Sequence, residues 1–221
     1  MRDFVKADVF FPQPICIMEK IDAIVYINLD KREDRREEIE DELRRLHLSA
    51  ERFPAILHDP GIVGCGKSHL SVMKTAKERG YKNILILEDD FVFLVDELMF
   101  TMVTHNVFTD LRDDYDVCMF CYQNLVENTT AEKKAPYLKR VYNANNASAY
   151  LINGDYLDVI IKLYEDAIPK LEQTGEHWNY ANDQVWTQLQ ERDRWYCVSP
   201  RIGKQRSGYS DNAKSFMDYD T

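Results

Sequence analysis

Four branched aliphatic residues, Ile84-Leu85-Ile86-Leu87, run directly into three carboxylates, Glu88-Asp89-Asp90. The apolar run reads as a strand buried on both faces, as in a parallel sheet. Open parallel sheets gather their ligands at the carboxyl ends of the strands. Three adjacent acids repel one another, and a divalent cation held together with a ligand's phosphates resolves that repulsion. The two-residue period of a strand puts Glu88 and Asp90 on one face and Asp89 on the other. Glu88 and Asp90 are the expected metal ligands; the competing reading is a solvated turn whose acids cap the next helix. Asp89 is left to bind hydroxyls of the same ligand.

The elements that must position these acids alternate along the chain. Residues 23–29 read as a first strand, ending at Asp30. A charged helix follows over 32–47, with Ile39, Leu43 and Leu46 as a narrow apolar stripe. Asp30 or Asp34 can cap its start. Residues 51–57 read as a second strand, interrupted by Pro54, and 58–64 as a turn-rich loop. A helix over 67–79 stops at Gly80, a favoured residue beyond a helix end. This alternation predicts an α/β fold with a mainly parallel central sheet. Further on, a helix near 95–109 leads to a strand at 117–122. Residues 123–136 read as a polar, mobile loop, suited to a lid or to acceptor binding. Strands at 137–142 and 147–152, helices at 156–167 and 181–192, and a strand at 195–199 follow. The tail from Pro200 is polar, with Arg201, Lys204 and Arg206.

A chain of 221 residues with 45% hydrophobic content builds one domain with a sizeable core. Its formal charge of −10 argues against a dedicated nucleic-acid binder. No apolar run reaches the length that spans a membrane. Asp3, Lys6, Asp8, Pro12 and Pro14 break the N-terminal apolar residues, so no signal peptide is expected there. That segment reads as an irregular arm packing on the domain or on another subunit. Five cysteines without a secretory signal point to reduced thiols and a cytoplasmic protein. Cys118 and Cys121 have redox-motif spacing but fall in a strand, where thioredoxin-type pairs do not sit.

Other residues can serve a phosphorylated ligand. Asp30, Arg32 and Arg35 lie just beyond the first strand, and arginine binds phosphate in a bidentate fashion. Arg36 reads as part of a solvated helix face. Residues 61–68, Gly-Ile-Val-Gly-Cys-Gly-Lys-Ser, match the phosphate-loop pattern G-x-x-x-x-G-K-[ST]. A phosphate loop follows directly on a buried strand, whereas this stretch follows His58-Asp59-Pro60. The competing reading is a glycine-rich turn into a helix that Ser68 helps to cap.

A larger set of blocks occurs in one order. It runs from Val25-Tyr26-Ile27-Asn28-Leu29-Asp30-Lys31-Arg32-Glu33-Asp34-Arg35-Arg36 through Arg52-Phe53-Pro54-Ala55 to Gly64-Cys65-Gly66-Lys67-Ser68-His69. Ile86-Leu87-Glu88-Asp89-Asp90, Ser148-Ala149-Tyr150-Leu151-Ile152, Gln205 and Ser210-Asp211 complete it. The combination resembles glycosyltransferase family 25, the lipopolysaccharide-type and procollagen galactosyltransferases. The resemblance accounts for the phosphate-loop match, because that family has a Gly-Cys-x-x-Ser-His segment there.

The resemblance implies a GT-A-like, Rossmann-like single domain over 23–211, between an arm at 1–22 and a tail at 212–221. It implies transfer of a hexose, galactose or glucose, from a UDP-sugar to a glycan or hydroxylated acceptor. Transfer would be inverting and assisted by Mn²⁺ or Mg²⁺. Donor-side candidates are Asn28, Asp30, Arg32, Arg35, Ser68, His69, Asp89 and Gln205. Asp183, within Tyr180-Ala181-Asn182-Asp183, is the candidate general base, with His177 behind it. Trp178, Tyr180 and Trp186 are candidate stacking platforms for acceptor sugars. Two alternatives stand beside this reading: a phosphate-loop NTPase at Gly61–Ser68, and a nucleotide-sugar-binding module without catalysis.

Overall fold

The computed structural model describes residues 20–210 and 214–219. Most of the expected 1–22 arm therefore lies outside the described residues. In chain order the elements open with β1 (Ala23–Asn28), α1 (Glu33–Arg45), β2 (Glu51–Pro54), α2 (Gly61–Glu78), β3 (Asn83–Glu88), β4 (Phe91–Phe93) and α3 (Glu97–Leu111). They continue with β5 (Val117–Met119), β6 (Gln123–Glu127), β7 (Leu138–Asn145), β8 (Ala149–Asn153) and α4 (Leu157–Thr174). Three short helices follow, α5 (His177–Tyr180), α6 (Asn182–Val185) and α7 (Thr187–Gln190). The chain then forms β9 (Trp195–Val198), β10 (Gly203–Gln205), β11 (Gly208–Ser210) and β12 (Ser215–Met217).

Eight strands make one sheet in the order β2-β1-β3-β8-β5-β9-β7-β6. β8 and β7 run against the direction shared by the other six, so the sheet is mostly parallel by strand direction. β3 sits between a parallel neighbour, β1, and an antiparallel one, β8. Its apolar run explains the layering. Ile84 and Ile86 face one core, shared with α2 and α4, while Leu85 and Leu87 face the other, shared with α1 and α3. With helices on both faces, β3 needs hydrophobic side chains on both, which is why its pattern is continuous rather than alternating.

Four local departures from the sequence reading have physical causes. The helix expected at 67–79 begins at Gly61, six residues early, after an extended Pro60. A Cβ on Gly64 would lie 2.3 Å from the Ile56 carbonyl oxygen, so only glycine lets the helix start this close to the 55–58 segment. The expected loop at 123–136 opens with β6, an edge strand of half-buried and exposed residues. The expected helix at 181–192 is broken into α6 and α7. The polar tail is also structured: β10 pairs with β4, and β11 with β12. No helix among the described residues is long and apolar enough to cross a membrane.

Candidate active site

The carboxylate triplet stands at the carboxyl end of β3. β3 ends at Glu88, and Asp89 and Asp90 form a turn. The two-residue alternation therefore stops there, and Asp89 and Asp90 both reach Arg35 instead of facing opposite ways. Arg35 Nη1 donates to Asp89 Oδ1 at 3.1 Å and to Asp90 Oδ2 at 3.2 Å. Asn28 Nδ2 donates to Asp89 Oδ2 at 2.8 Å, and Gln205 Nε2 to Asp90 Oδ2 at 3.2 Å. Asp90 Oδ1 is buried and has no hydrogen-bond partner. Glu88 takes different partners, while its charge still bears on Asp90. Its Oε1 lies 3.0 Å from His69 Nε2 and 3.6 Å from Cys65 Sγ.

Burial, followed by the charge of Glu88, pushes the Asp90 carboxyl up to about 7. Burial also raises Asp89, against the pull of Arg35 and Asn28. Burial would raise Glu88 too, but its contacts with His69 outweigh that and hold it below the ordinary value. A buried carboxylate oxygen with no donor is what an oxygen-seeking divalent cation satisfies. The Asp90 side of the triplet thus fits Mn²⁺ or Mg²⁺ on the chemistry of its donors.

A cleft of about 450 Å³ opens beside the triplet, lined by Arg32, Arg35, His58, Glu88, Asp90 and Tyr219 among others. Arg35 Nη2 also donates to the Tyr209 carbonyl at 2.8 Å, which holds β11 over the cleft. Arg32 is clamped by Asp34 at 2.7 Å. A second cleft, about 680 Å³, is lined by Tyr122, Gln123, Asn124 and Arg201, and Tyr219 lines both.

The other expected donor-side residues are placed as follows. Asn28 is buried behind Asp89 and does not line the cleft. Its Oδ1 accepts from Arg52 Nε at 3.0 Å, so it orients Asp89 rather than meeting a ligand. Asp30 is exposed, pairs with Arg52 at 2.6 Å and also stands outside the cleft lining. Ser68 is fully buried. Its Oγ donates to the Gly64 carbonyl at 2.7 Å and accepts from Ile56 N–H at 2.8 Å, which spends it on joining α2 to the β2–α2 connection. His69 is buried on the floor, between Glu88 and Tyr150 Oη at 2.9 Å. Gln205 lines the cleft.

The phosphate-loop reading fails on geometry. Residues 61–68 all lie inside α2, so there is no loop of backbone N–H groups to cradle a phosphate. Lys67 pairs with Glu172 at 3.2 Å.

Asp183 is at the start of α6, outside the cleft lining, and is tied to it by a chain of contacts. Asp183 Oδ2 accepts from Asn146 N–H at 3.0 Å, and Asn146 Nδ2 donates to Gln205 Oε1 at 2.8 Å. Gln205 in turn holds Asp90. Burial raises the Asp183 carboxyl, and the charge of Glu88 adds to the shift. Trp186 is fully buried, edge-on to Tyr150 and Trp195, and is unavailable as a sugar platform. Tyr180 packs against the core, whereas Trp178 is 62% exposed. Cys118 and Cys121 are buried free thiols.

Sequence reasoning missed two partners. Asn146 takes a left-handed backbone at φ 87°, which asparagine tolerates, and nothing in the pattern marks it. Cys65 did carry a signal: with His69 it makes a one-turn pair on α2.

No protein-family model matches the sequence, and no curated protein sequence matches it. Solved structures do resemble the fold. One is a glycosyltransferase involved in the glycosylation of the major capsid of PBCV-1. It is 11% identical, with 87% of this chain and 95% of that one covered, at a TM-score of 0.50. Another is A197 from STIV, 13% identical over 90% of this chain and 94% of that one, at 0.49. A third is the glycosyltransferase GlyE of Streptococcus pneumoniae TIGR4, 12% identical at 0.48 over 80% of this chain, which spans 45% of that protein. At 11% identity the likeness to the first of these is one of fold alone: a GT-A-like α/β domain.

Proposed function

We propose that the protein is a glycosyltransferase of the family 25 type, moving a hexose from a UDP-sugar to a glycan or hydroxylated acceptor. The observation that carries this reading is Asp90, with its unpartnered buried oxygen, in the lining of an arginine-lined cleft in a GT-A-like fold. Glu88 and Asp90 would hold Mn²⁺ or Mg²⁺, which when bound would act as a Lewis acid on the donor diphosphate. Arg32 and Arg35 orient the phosphates from the α1 side. Asp89 is held by Arg35 and Asn28 and offers acceptor oxygens to donor hydroxyls. Gln205 keeps Asp90 in place.

Asp183 serves as general base in this scheme. The acceptor hydroxyl gives its proton to Asp183 as its oxygen bonds to the anomeric carbon. The bond from that carbon to the diphosphate oxygen breaks, and the diphosphate leaves with the electron pair, inverting the centre. Burial raises the Asp183 carboxyl, which makes it a stronger base than an ordinary carboxylate. The second cleft, across Tyr219, offers the acceptor a place to lie.

The test is thermal stabilisation by UDP-galactose, UDP-glucose and ATP, with and without Mn²⁺, on wild type and Asp90→Asn. Mn²⁺-dependent stabilisation by a UDP-hexose, lost in Asp90→Asn, is expected. Stabilisation by ATP alone would end the reading. Tight UDP-sugar binding with no turnover on any acceptor would leave a binding module instead.

A further inference from the structure

We propose that Cys65, His69 and Glu88 form a binding site for a divalent cation of the zinc class, distinct in ligand chemistry from the Mn²⁺ or Mg²⁺ expected beside Asp90. Cys65 and His69 are one helical turn apart on α2, so their side chains share a face. The end of β3 brings Glu88 against that face. One donor atom from each residue lies within 4.8 Å of the others. His69 Nε2 is 3.0 Å, and Cys65 Sγ 3.6 Å, from Glu88 Oε1. Tetrahedral zinc, with bonds of about 2.0–2.3 Å, sets its ligand atoms about 3.3–3.6 Å apart. Small side-chain shifts therefore suffice to close the site.

The surrounding contacts orient these groups as ligands. His69 Nδ1 lies 2.9 Å from Tyr150 Oη, and Tyr150 is fully buried and fixed. With a metal on Nε2, Nδ1 carries the proton and donates to Tyr150, the usual support for a metal-bound histidine. Asn182 Nδ2 donates to Cys65 Sγ at 3.5 Å, a contact that a metal-bound sulfur can keep. All three proposed ligands line the 450 Å³ cleft, which leaves the fourth position open to it. Three protein ligands and one open position is the arrangement of reactive rather than purely structural zinc sites. Sulfur and imidazole donors select zinc-like ions, whereas carboxylates suit magnesium and manganese. Glu88 belongs to both groups of donors.

The test needs no sugar donor, so its outcome is separable from that of the transferase reading. The chelator-treated full chain is titrated with Co²⁺ while thiolate-to-cobalt charge-transfer and tetrahedral ligand-field absorption are recorded. Wild type is expected to show both at one equivalent, and Zn²⁺ to abolish them. Cys65→Ser should lose the charge-transfer band, His69→Gln should bind at least tenfold more weakly, and Asp90→Asn should keep the band. A wild-type spectrum with no thiolate band, or an equal band in Cys65→Ser, would overturn the site. Alkylation of Cys65 in the wild-type protein, read by peptide mass, is a second measure that needs no variant. Protection by Zn²⁺ is expected, and an unchanged alkylation rate would overturn the proposal.

Discussion

Gln205 Nε2 donates to Asp90 Oδ2 across 3.2 Å, joining the late strand β10 to the carboxylate at the end of β3. The other end of the same amide accepts from Asn146 at 2.8 Å, so it cannot flip without breaking both contacts. Gln205→Ala should weaken Mn²⁺ binding by roughly 10-fold or more, as loss of a residue that orients a ligand usually does. Calorimetric titration of Mn²⁺ measures this. An unchanged affinity would mean that Asp90 needs no such support.

Arg35 neutralises two buried carboxylates, with its own side chain only 15% exposed. Arg35→Met leaves both acids uncompensated and should cost about 3–5 kcal/mol in metal-free protein. Mn²⁺ should restore part of that loss, because the cation takes over the role of the guanidinium. Urea denaturation with and without Mn²⁺ separates the two. Equal losses in both conditions would remove the cation from this place.

Asp183→Asn keeps an oxygen to accept from the Asn146 N–H but cannot take a proton from an acceptor. In an active transferase kcat should fall by about 10²–10⁴, with donor affinity little changed. Burial raises the Asp183 carboxyl, so the acidic limb of wild-type kcat should lie above the ordinary carboxylate range. The stability sign follows from the same shift. A raised folded value means that the contribution is full below the unfolded value and is lost as pH rises through the folded one. Asp183→Asn should therefore gain on wild type in melting temperature as pH rises. Parallel melting curves across pH would show that Asp183 is not shifted.

Two glycines in α2 should respond in opposite ways. Gly64→Ala drives a Cβ to 2.3 Å from the Ile56 carbonyl oxygen and should cost about 1–3 kcal/mol. At Gly66 the Cβ would meet Ile168 Cγ1 at 3.4 Å, a contact the isoleucine can accommodate. Gly66→Ala should be neutral or gain up to about 1 kcal/mol of helix propensity. In a phosphate loop, Gly66→Ala would instead abolish nucleotide binding. Thermal melts and a nucleotide-binding assay on both variants distinguish these outcomes.

The sequence by itself determined much of the frame. The run Ile84–Leu87 required a strand covered on both faces, because each face of the alternation is apolar. The acids after it had to stand at a strand end, where a cation and phosphates are welcome. Strand–helix alternation in the first half settled the layered α/β class. These are local properties: each follows from neighbours a few residues apart.

Tertiary structure decided what depends on distant residues. Residues 61–68 spell a phosphate loop, yet they wind into helix because Gly64 can pass the Ile56 carbonyl and Ser68 Oγ accepts from the Ile56 N–H across the connection. Asn28 was legible as a residue at the end of β1, but only the fold turns it inward to hold Asp89, 61 positions away. Trp186 read as a sugar platform until Tyr150 and Trp195 closed around it. The path from Asp183 through Asn146 and Gln205 to Asp90 joins α6, the β7–β8 connection, β10 and the end of β3. No periodicity records such a path, because hydrogen bonds between side chains depend on where packing brings the elements, not on their spacing along the chain.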